Sequence, residues 1–380
     1  MRWKDWSGYF AVCSYDIGHE REYHSFRHAA GMIDVTPLFK YDIRGKDACS
    51  FLCRIMARNI AKLKHKQVTY LCWCDDEGKV VDDGTVSHLD ENYYRVTSAD
   101  PSLHWFLRHT RGFDVTIEDV SDKLTAVAVQ GPNARKVLNA VSDANMDALK
   151  FFHLTHARLD GGIEAIISRT GYTGDLGYEI WVDNADALNM WDAVMDAGRV
   201  HGLEAAALDA MDVTRVEAGF IMNGVDYFSS LHSLIDSRKA SPYELSLGWT
   251  VQLKRDPFIG QAALRKEKKA GPKRLFVGLE VDWVELERLF AKHGLPPEIP
   301  AGAWRSPVPV YDMGGAFIGQ ATSGAWSPLL KKNLALATIG ARHGQIGNRV
   351  KFEITVEYER KTVSAAVVSK PFYDPEWKKA

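Results

Sequence analysis

Between residues 169 and 180 the chain reads RTGYTGDLGYEI, a stretch dense in residue types that can hold a flat, polar ligand. Gly171, Gly174 and Gly177 recur at every third position, and around them stand Tyr172, Asp175 and Glu179. An aromatic ring can stack on a planar heterocycle, and a carboxylate can accept a forked pair of N–H bonds from its edge. The glycines permit positive φ and let a ligand lie close to the backbone. Two more carboxylates, Asp82 and Asp83, stand between Val80-Val81 and a Gly-Thr-Val run. By residue type alone that pair reads as a solvated turn acid, and Tyr70 as a half-buried strand aromatic.

Regular elements must hold these groups in place. Residues 163–168 and 178–182 are apolar and rich in β-branched side chains, so they predict two strands joined by the glycine-rich turn. Upstream, helices are expected at 20–31, 47–56, 102–111 and 133–141, the last opened by Pro132. Strands are expected at 38–43, 68–74 and 124–130, with a hairpin of 80–88 and 93–98. Two amphipathic helices should follow at 185–202 and 205–217. The charged run RKEKKAGPKR at 265–274 reads as a solvated linker and a boundary. Beyond it, short alternating runs up to residue 368 predict an all-β sandwich or small barrel, with an irregular Pro/Gly-rich loop at 293–309.

Composition narrows the classes. The 380 residues can bury an ample core, and 46% hydrophobic with 25% charged residues is ordinary for a globular chain. Lys plus Arg is 47 and Asp plus Glu is 49, so 47 − 49 = −2, which makes no electrostatic case for nucleic acid. No apolar run approaches bilayer length, and Lys4, Asp5 and Asp16 interrupt any signal-peptide core, so a cytoplasmic protein is expected. Cys13, Cys49, Cys53, Cys72 and Cys74 are odd in number, and none of them form a Cys-x2-Cys knuckle. Buried thiols, not disulfides or zinc, are expected. His24 and His28 lack the His-Glu-x-x-His pattern, because Tyr23 stands where it would need the other histidine, so no metal site is expected.

Several motifs fall in one order along the chain: DVTPLFKY (34–41), GKVVDD (78–83), QGP (130–132), RVEAG (215–219), LGWTVQLKRDPFIGQAAL (247–264) and TSGAWSP (322–328). With the 169–180 segment they resemble the glycine-cleavage T-protein (aminomethyltransferase) superfamily, whose members carry one-carbon units to or from tetrahydrofolate. That resemblance implies a three-lobed α+β fold, with two α+β lobes in residues 1–268, a β-barrel or sandwich in 273–380, and a central cavity. It makes Asp83 the catalytic residue, orienting folate, stabilising positive charge on the one-carbon unit or shuttling a proton. It places the pterin face near Tyr172, Tyr70 and Leu38, and the pterin edge on Glu179. Arg215 either holds a folate carboxylate or pairs with a neighbouring acid. Trp249, on an expected strand, and Trp326 would be core or pocket-wall aromatics.

Two positions depart from the family pattern. Met211 stands where T-proteins usually carry arginine, and Ser98 where they usually carry asparagine beside the folate. Pterin recognition survives both changes, but the arginine contact to the folate tail and the lipoyl-bound donor do not follow. The sequence therefore resembles more closely the demethylase-like branch, moving a methyl or methylene unit from a small N-, O- or S-methyl compound to tetrahydrofolate. The alternative is a T-protein proper, acting on a lipoyl-bound aminomethyl group. A lipoyl carrier protein or an oxidoreductase is the partner to look for, and neither nucleic acid nor membrane. A non-catalytic assembly factor of the same superfamily would carry a Lys-Gly-Cys-Tyr-x-Gly-Gln-Glu motif, and a fused flavin oxidase a strand-Gly-x-Gly-x-x-Gly-helix fingerprint; the chain contains neither.

Overall fold

Two large sheets, one antiparallel and one mixed, together with a barrel and a small two-stranded sheet, make up the chain in the computed structural model, which describes residues 2–380. The first sheet runs in the order Val68–Cys74, Val80–Asp90, Tyr93–Ser98, Phe39–Arg44, Thr116–Asp119. Its alternating apolar positions, among them Tyr41, Ile43, Trp73 and Val96, pack against helices Ala48–Ile55 and Leu103–Arg108. The second has six strands in the order Leu154–Leu159, Ile163–Ser168, Gly177–Asp183, Leu124–Gln130, Ala30–Asp34, Leu203–Ala205. Helices Ala134–Val141 and Ala187–Gly198 cover one of its faces, where Tyr178, Ile180 and Val182 are buried. The opposite face carries Ala126, Ala128 and Trp181 into a central cluster.

Strands Arg274–Val281, Lys332–Gly340, Phe317–Ser327, Val308–Tyr311, Arg349–Val356 and Glu359–Val368 close into a six-stranded barrel with no free edge. The central cluster gathers side chains from all three lobes, including Phe26, Cys72, Trp181, Met211, Phe276 and Leu336. Helix Leu208–Glu217 runs through it with every residue buried, which is why its polar side chains must find partners inside the molecule. Among the described residues, no helix is long and apolar enough to cross a membrane.

The three-lobed α+β architecture is as expected, and several local readings need correction. The helix expected over 20–31 ends at His28, because Gly31 lies in strand Ala30–Asp34, pressed against Phe26 where no Cβ would fit. Residues 203–205 form an edge strand, so the following helix starts at Leu208. The run at 265–274 is no linker: helix Gln261–Ala270 occupies most of it, burying Gln261 and Leu264 and showing its lysines to solvent. Trp249 sits in a single helical turn, Gly248–Thr250, not a strand. Sequence reasoning also passed over helix Trp283–Ala291, though its start is signalled. Asp282 accepts the backbone N–H of Glu285 at 3.0 Å, an Asp-x-x-Glu N-cap.

Candidate active site

Asp83 lies on strand Val80–Asp90 opposite Cys72. The register slips by one residue between the pairs Trp73–Asp82 and Cys74–Val80, a bulge of the kind that re-aims side chains. Asp83 keeps access to solvent and is held by two phenols. Tyr70 donates to its Oδ2 at 2.6 Å, and Tyr227 donates to its Oδ1. Burial raises the Asp83 pKa, while the Tyr227 and Tyr70 hydrogen bonds pull it back down.

Asp82 has a different occupation. It is fully buried and accepts five hydrogen bonds: from the backbone N–H groups of Asp83 (2.9 Å), Ala99 (3.1 Å) and Asp100 (2.9 Å), from Asn223 Nδ2 (2.8 Å) and from Tyr227 (3.1 Å). Burial and then the adjacent Asp83 charge push its pKa up to about 8, against the pull of Asp100 N–H and Asn223. Neither aspartate is a solvated turn acid. Ser98 is buried on the neighbouring strand and donates to the Asp100 carbonyl at 2.7 Å, closing the turn whose N–H groups hold Asp82. It therefore supports the site from behind.

The glycine-rich segment joins strands Ile163–Ser168 and Gly177–Asp183, paired with Ser168 opposite Glu179. Only Gly174 among the three glycines has positive φ, at 79°. Gly171 and Gly177 serve another purpose, since a Cβ on either would fall about 2 Å from Gln130 Oε1. The Gln130 side chain fills that space, donating to the carbonyls of Thr170 (3.2 Å) and Tyr178 (3.3 Å) and accepting from Thr173 (3.1 Å). The close approach at these two glycines is thus made by Gln130 and not left for a ligand.

The two carboxylates of the segment separate cleanly. Asp175 is buried and taken, accepting from Tyr373 (3.0 Å) and Trp377 Nε1 (2.8 Å) with Arg27 3.6 Å away. Glu179 lies half-buried on the sheet face that carries Trp181, and among the described residues no cation pairs with it. Burial raises its pKa, with the Thr170 hydroxyl the one group lowering it. Tyr172 packs on the central cluster, stacks on Phe220 with centroids 5.5 Å apart, and donates to the Ile221 carbonyl. Leu38 and Tyr70 pack on the same cluster. Trp249 stacks on Tyr70 at 6.1 Å while 60% exposed, so it is a surface aromatic beside Tyr70 and not core. Trp326 packs instead on Trp283 of the barrel lobe, at 5.2 Å.

Arg215 is fully buried, with Nη1 2.7 Å from Asp226 and Nε 3.3 Å from Asp212. These pairs are the ionic alternative raised for it, although its Nη2 has no hydrogen-bond partner. Asp226 is itself held by Thr322 and Ser323, and Glu217 by Tyr23, Arg27 and Ser327. The RVEAG and TSGAWSP motifs therefore bolt the helix to the barrel. At Met211, apolar and buried, the helix offers no guanidinium, but Arg305 reaches in from the 293–307 loop to Asp212 at 2.7 Å.

Sequence reasoning missed Asn223, Asp226 and Tyr227. They belong to the irregular stretch after the helix, where the one local cue is an Asn-Gly turn (residues 223–224). The group brought together is a half-buried carboxylate between two phenols, a second unpaired carboxylate, and aromatic walls. Such a set can recognise a ring with two adjacent N–H donors and manage a proton or a developing positive charge beside it.

The fold is that of an aminomethyltransferase-like protein. Its coordinates superpose on the glycine cleavage system aminomethyltransferase T from Bartonella henselae with a TM-score of 0.82, covering 98% of this chain and 94% of that one at 22% identity. Residues 2–255 match the GCVT N-terminal domain, and residues 294–374 the glycine cleavage T-protein C-terminal barrel domain. The chain is 34% identical over 362 residues to the aminomethyltransferase of Caldanaerobacter subterraneus subsp. tengcongensis, covering 94% of this chain and 88% of that protein. It is likewise 34% identical over 361 residues to the aminomethyltransferase of Bacillus subtilis, covering 93% and 90%. The chain belongs to the glycine-cleavage T-protein family, which works with tetrahydrofolate. These comparisons lend no support to the expected demethylase-like branch, since the relatives reported carry the aminomethyltransferase name.

Proposed function

We propose that this protein is a tetrahydrofolate-dependent aminomethyltransferase that accepts its one-carbon unit from an aminomethyl group on a lipoyl carrier. Folate fits the residues present: Glu179 is a carboxylate with the Thr170 hydroxyl as its side-chain donor and no cation paired to it among the described residues, and Tyr172, Leu38 and Tyr70 offer apolar and aromatic surface. Bound folate would supply the amine nitrogens that take up the carbon. Glu179 orients the ring by its edge, and Asp83 faces the reacting nitrogens, holding a proton or balancing positive charge. Tyr70 and Tyr227 donate to Asp83, which favours its charged form and aims the group. Asp82, Ser98 and Asn223 fix the backbone behind it.

One observation carries this reading. Asp83 keeps solvent access and two phenol donors, whereas the carboxylates at positions 175, 212, 217 and 226 are paired with arginines. The test is to supply a carrier-bound aminomethyl donor and tetrahydrofolate, then measure methylene-tetrahydrofolate and ammonia together. A second reading, a demethylase of a small methylated compound, is favoured only by Met211, because the helix there lacks the family's arginine. It would show as methyl- or methylene-tetrahydrofolate formed from a free methylated amine, thioether or methoxyarene, with none from the carrier.

A further inference from the structure

Beyond barrel strand Glu359–Val368 the chain leaves its own lobe. The backbone N–H groups of Phe372 and Tyr373 donate to the Glu217 carbonyl, at 2.9 and 3.0 Å, where the central helix ends. From there residues 373–380 bond to both ends of the glycine-rich segment. At one end, the Tyr373 hydroxyl and Trp377 Nε1 donate to opposite oxygens of Asp175, at 3.0 and 2.8 Å. At the other, the Arg169 guanidinium donates to the backbone oxygens of Lys378, at 3.2 Å, and Ala380. Tyr172 lies between these two anchors in sequence. Its ring stacks on Phe220, and the Lys378 ammonium lies 5.4 Å from the centroid of that phenyl ring.

Strand pairing does not hold this segment. The ladder ends at the pair Ser168–Glu179, and residues 169–176 have no regular structure. A connection of that length keeps one conformation only where side chains fix it. Gln130 secures Thr170 and Thr173. Asp175 is secured from outside the sheet, by Tyr373 and Trp377, while its own carboxylate accepts the Leu176 N–H at 2.8 Å and so shapes the turn. Tyr373 is itself seated, with the Arg27 guanidinium 4.3 Å from its ring centroid and that guanidinium bonded to Glu217. Burial, then the Asp175 charge, raises the Tyr373 pKa, so the phenol stays protonated and donating.

We infer that Tyr373 and Trp377 are positioning residues for tetrahydrofolate: they hold Asp175, and through it residues 169–176, so that Tyr172 meets the pterin face. The inference rests on the folate reading. Both residues act through Asp175 and not on the ligand. Asp83 and Glu179 stand on paired strands, which do not depend on these two donors. The effect of removing the donors should therefore fall on folate binding and not on the chemical step.

The double variant Tyr373→Phe/Trp377→Phe removes both donors and keeps an aromatic ring at each position. Titration calorimetry with tetrahydrofolate, and steady-state kinetics with the carrier-bound donor, test it. The variant should bind tetrahydrofolate about tenfold more weakly, raise the KM for it by about the same factor, and keep kcat within about twofold. In a Tyr172→Leu background the same pair of substitutions should cost no further affinity, because the side chain they position is gone. Tyr373→Phe alone deletes one oxygen, and should show a smaller loss of the same kind if the double variant does not fold. Unchanged affinity, with or without a lowered thermal midpoint, would overturn the assignment and leave a strap that only stabilises, with the folate reading intact. So would a loss confined to kcat, or one that adds in full to that of Tyr172→Leu. A wild type that does not bind tetrahydrofolate would instead refute the folate reading, and this inference with it.

Discussion

Asp82 and Asp83 are neighbours with opposite duties, and their hydrogen bonds assign them. Asp82 spends its carboxyl group on five internal donors, while Asp83 keeps solvent access with two phenols bound to it. Since burial raises the Asp83 pKa, an activity needing its ionised form rises with pH through a value above the ordinary carboxylate range. The Tyr227 hydrogen bond lowers that pKa, so Tyr227→Phe removes a stabiliser of the charged form. The acid limb of kcat/KM should then move to higher pH, by roughly one unit for one hydrogen bond to a charged group. An unmoved or downward-moving limb would show that Tyr227 does not set the charge of Asp83. Glu179→Ala should leave two ring N–H donors unpaired and weaken tetrahydrofolate binding by about 1–3 kcal/mol. Unchanged affinity in calorimetry would remove Glu179 from the site.

At the scale of elements, the hairpin carrying Glu179 depends on a side chain from the next strand. Gly177→Ala would drive a Cβ into Gln130, 2.1 Å from Oε1, and should destabilise by about 1–3 kcal/mol in urea unfolding. Gln130→Ala removes the obstacle together with its buried hydrogen bonds. In that background the glycine substitution should cost much less, and additive losses would contradict the packing account. The strands nearest the chemistry were legible: 68–74, 93–98 and 163–168 fall where apolar β-branched and aromatic runs bounded by Gly, Asp or Asn put them. What could not be read was who uses the space the glycines make. Three glycines in a turn signal close approach, but whether a ligand or Gln130 approaches is decided by a strand some forty residues earlier. Tyr227 was equally hidden, lying in an irregular stretch with no period to mark its inward side.

Over the whole molecule, the three lobes are joined by buried charge as much as by apolar contact. Glu217 on the central helix gathers Tyr23 and Arg27 from the first helix and Ser327 from the barrel, all out of solvent. Glu217→Ala leaves the buried Arg27 guanidinium with Asp175 at 3.6 Å as its remaining acid and the Thr214 carbonyl at 3.3 Å, and should cost about 3–5 kcal/mol, seen as a lowered thermal midpoint. A midpoint equal to wild type would mean that the lobes do not depend on this junction. The lobes meet at one packed central cluster, and the central claim is that Asp83 beside it serves turnover more than binding. The most direct measurement compares wild type, Asp83→Asn and Asp82→Asn for tetrahydrofolate affinity and for methylene-tetrahydrofolate formation from the carrier-bound donor. Asp83→Asn is nearly isosteric and should keep its fold and most of its folate affinity while losing about a hundredfold or more in rate. Asp82→Asn, which disturbs five hydrogen bonds, should lose thermal stability along with its rate. Turnover by Asp83→Asn at the wild-type rate would contradict the account and leave a protein that binds folate without using this carboxylate.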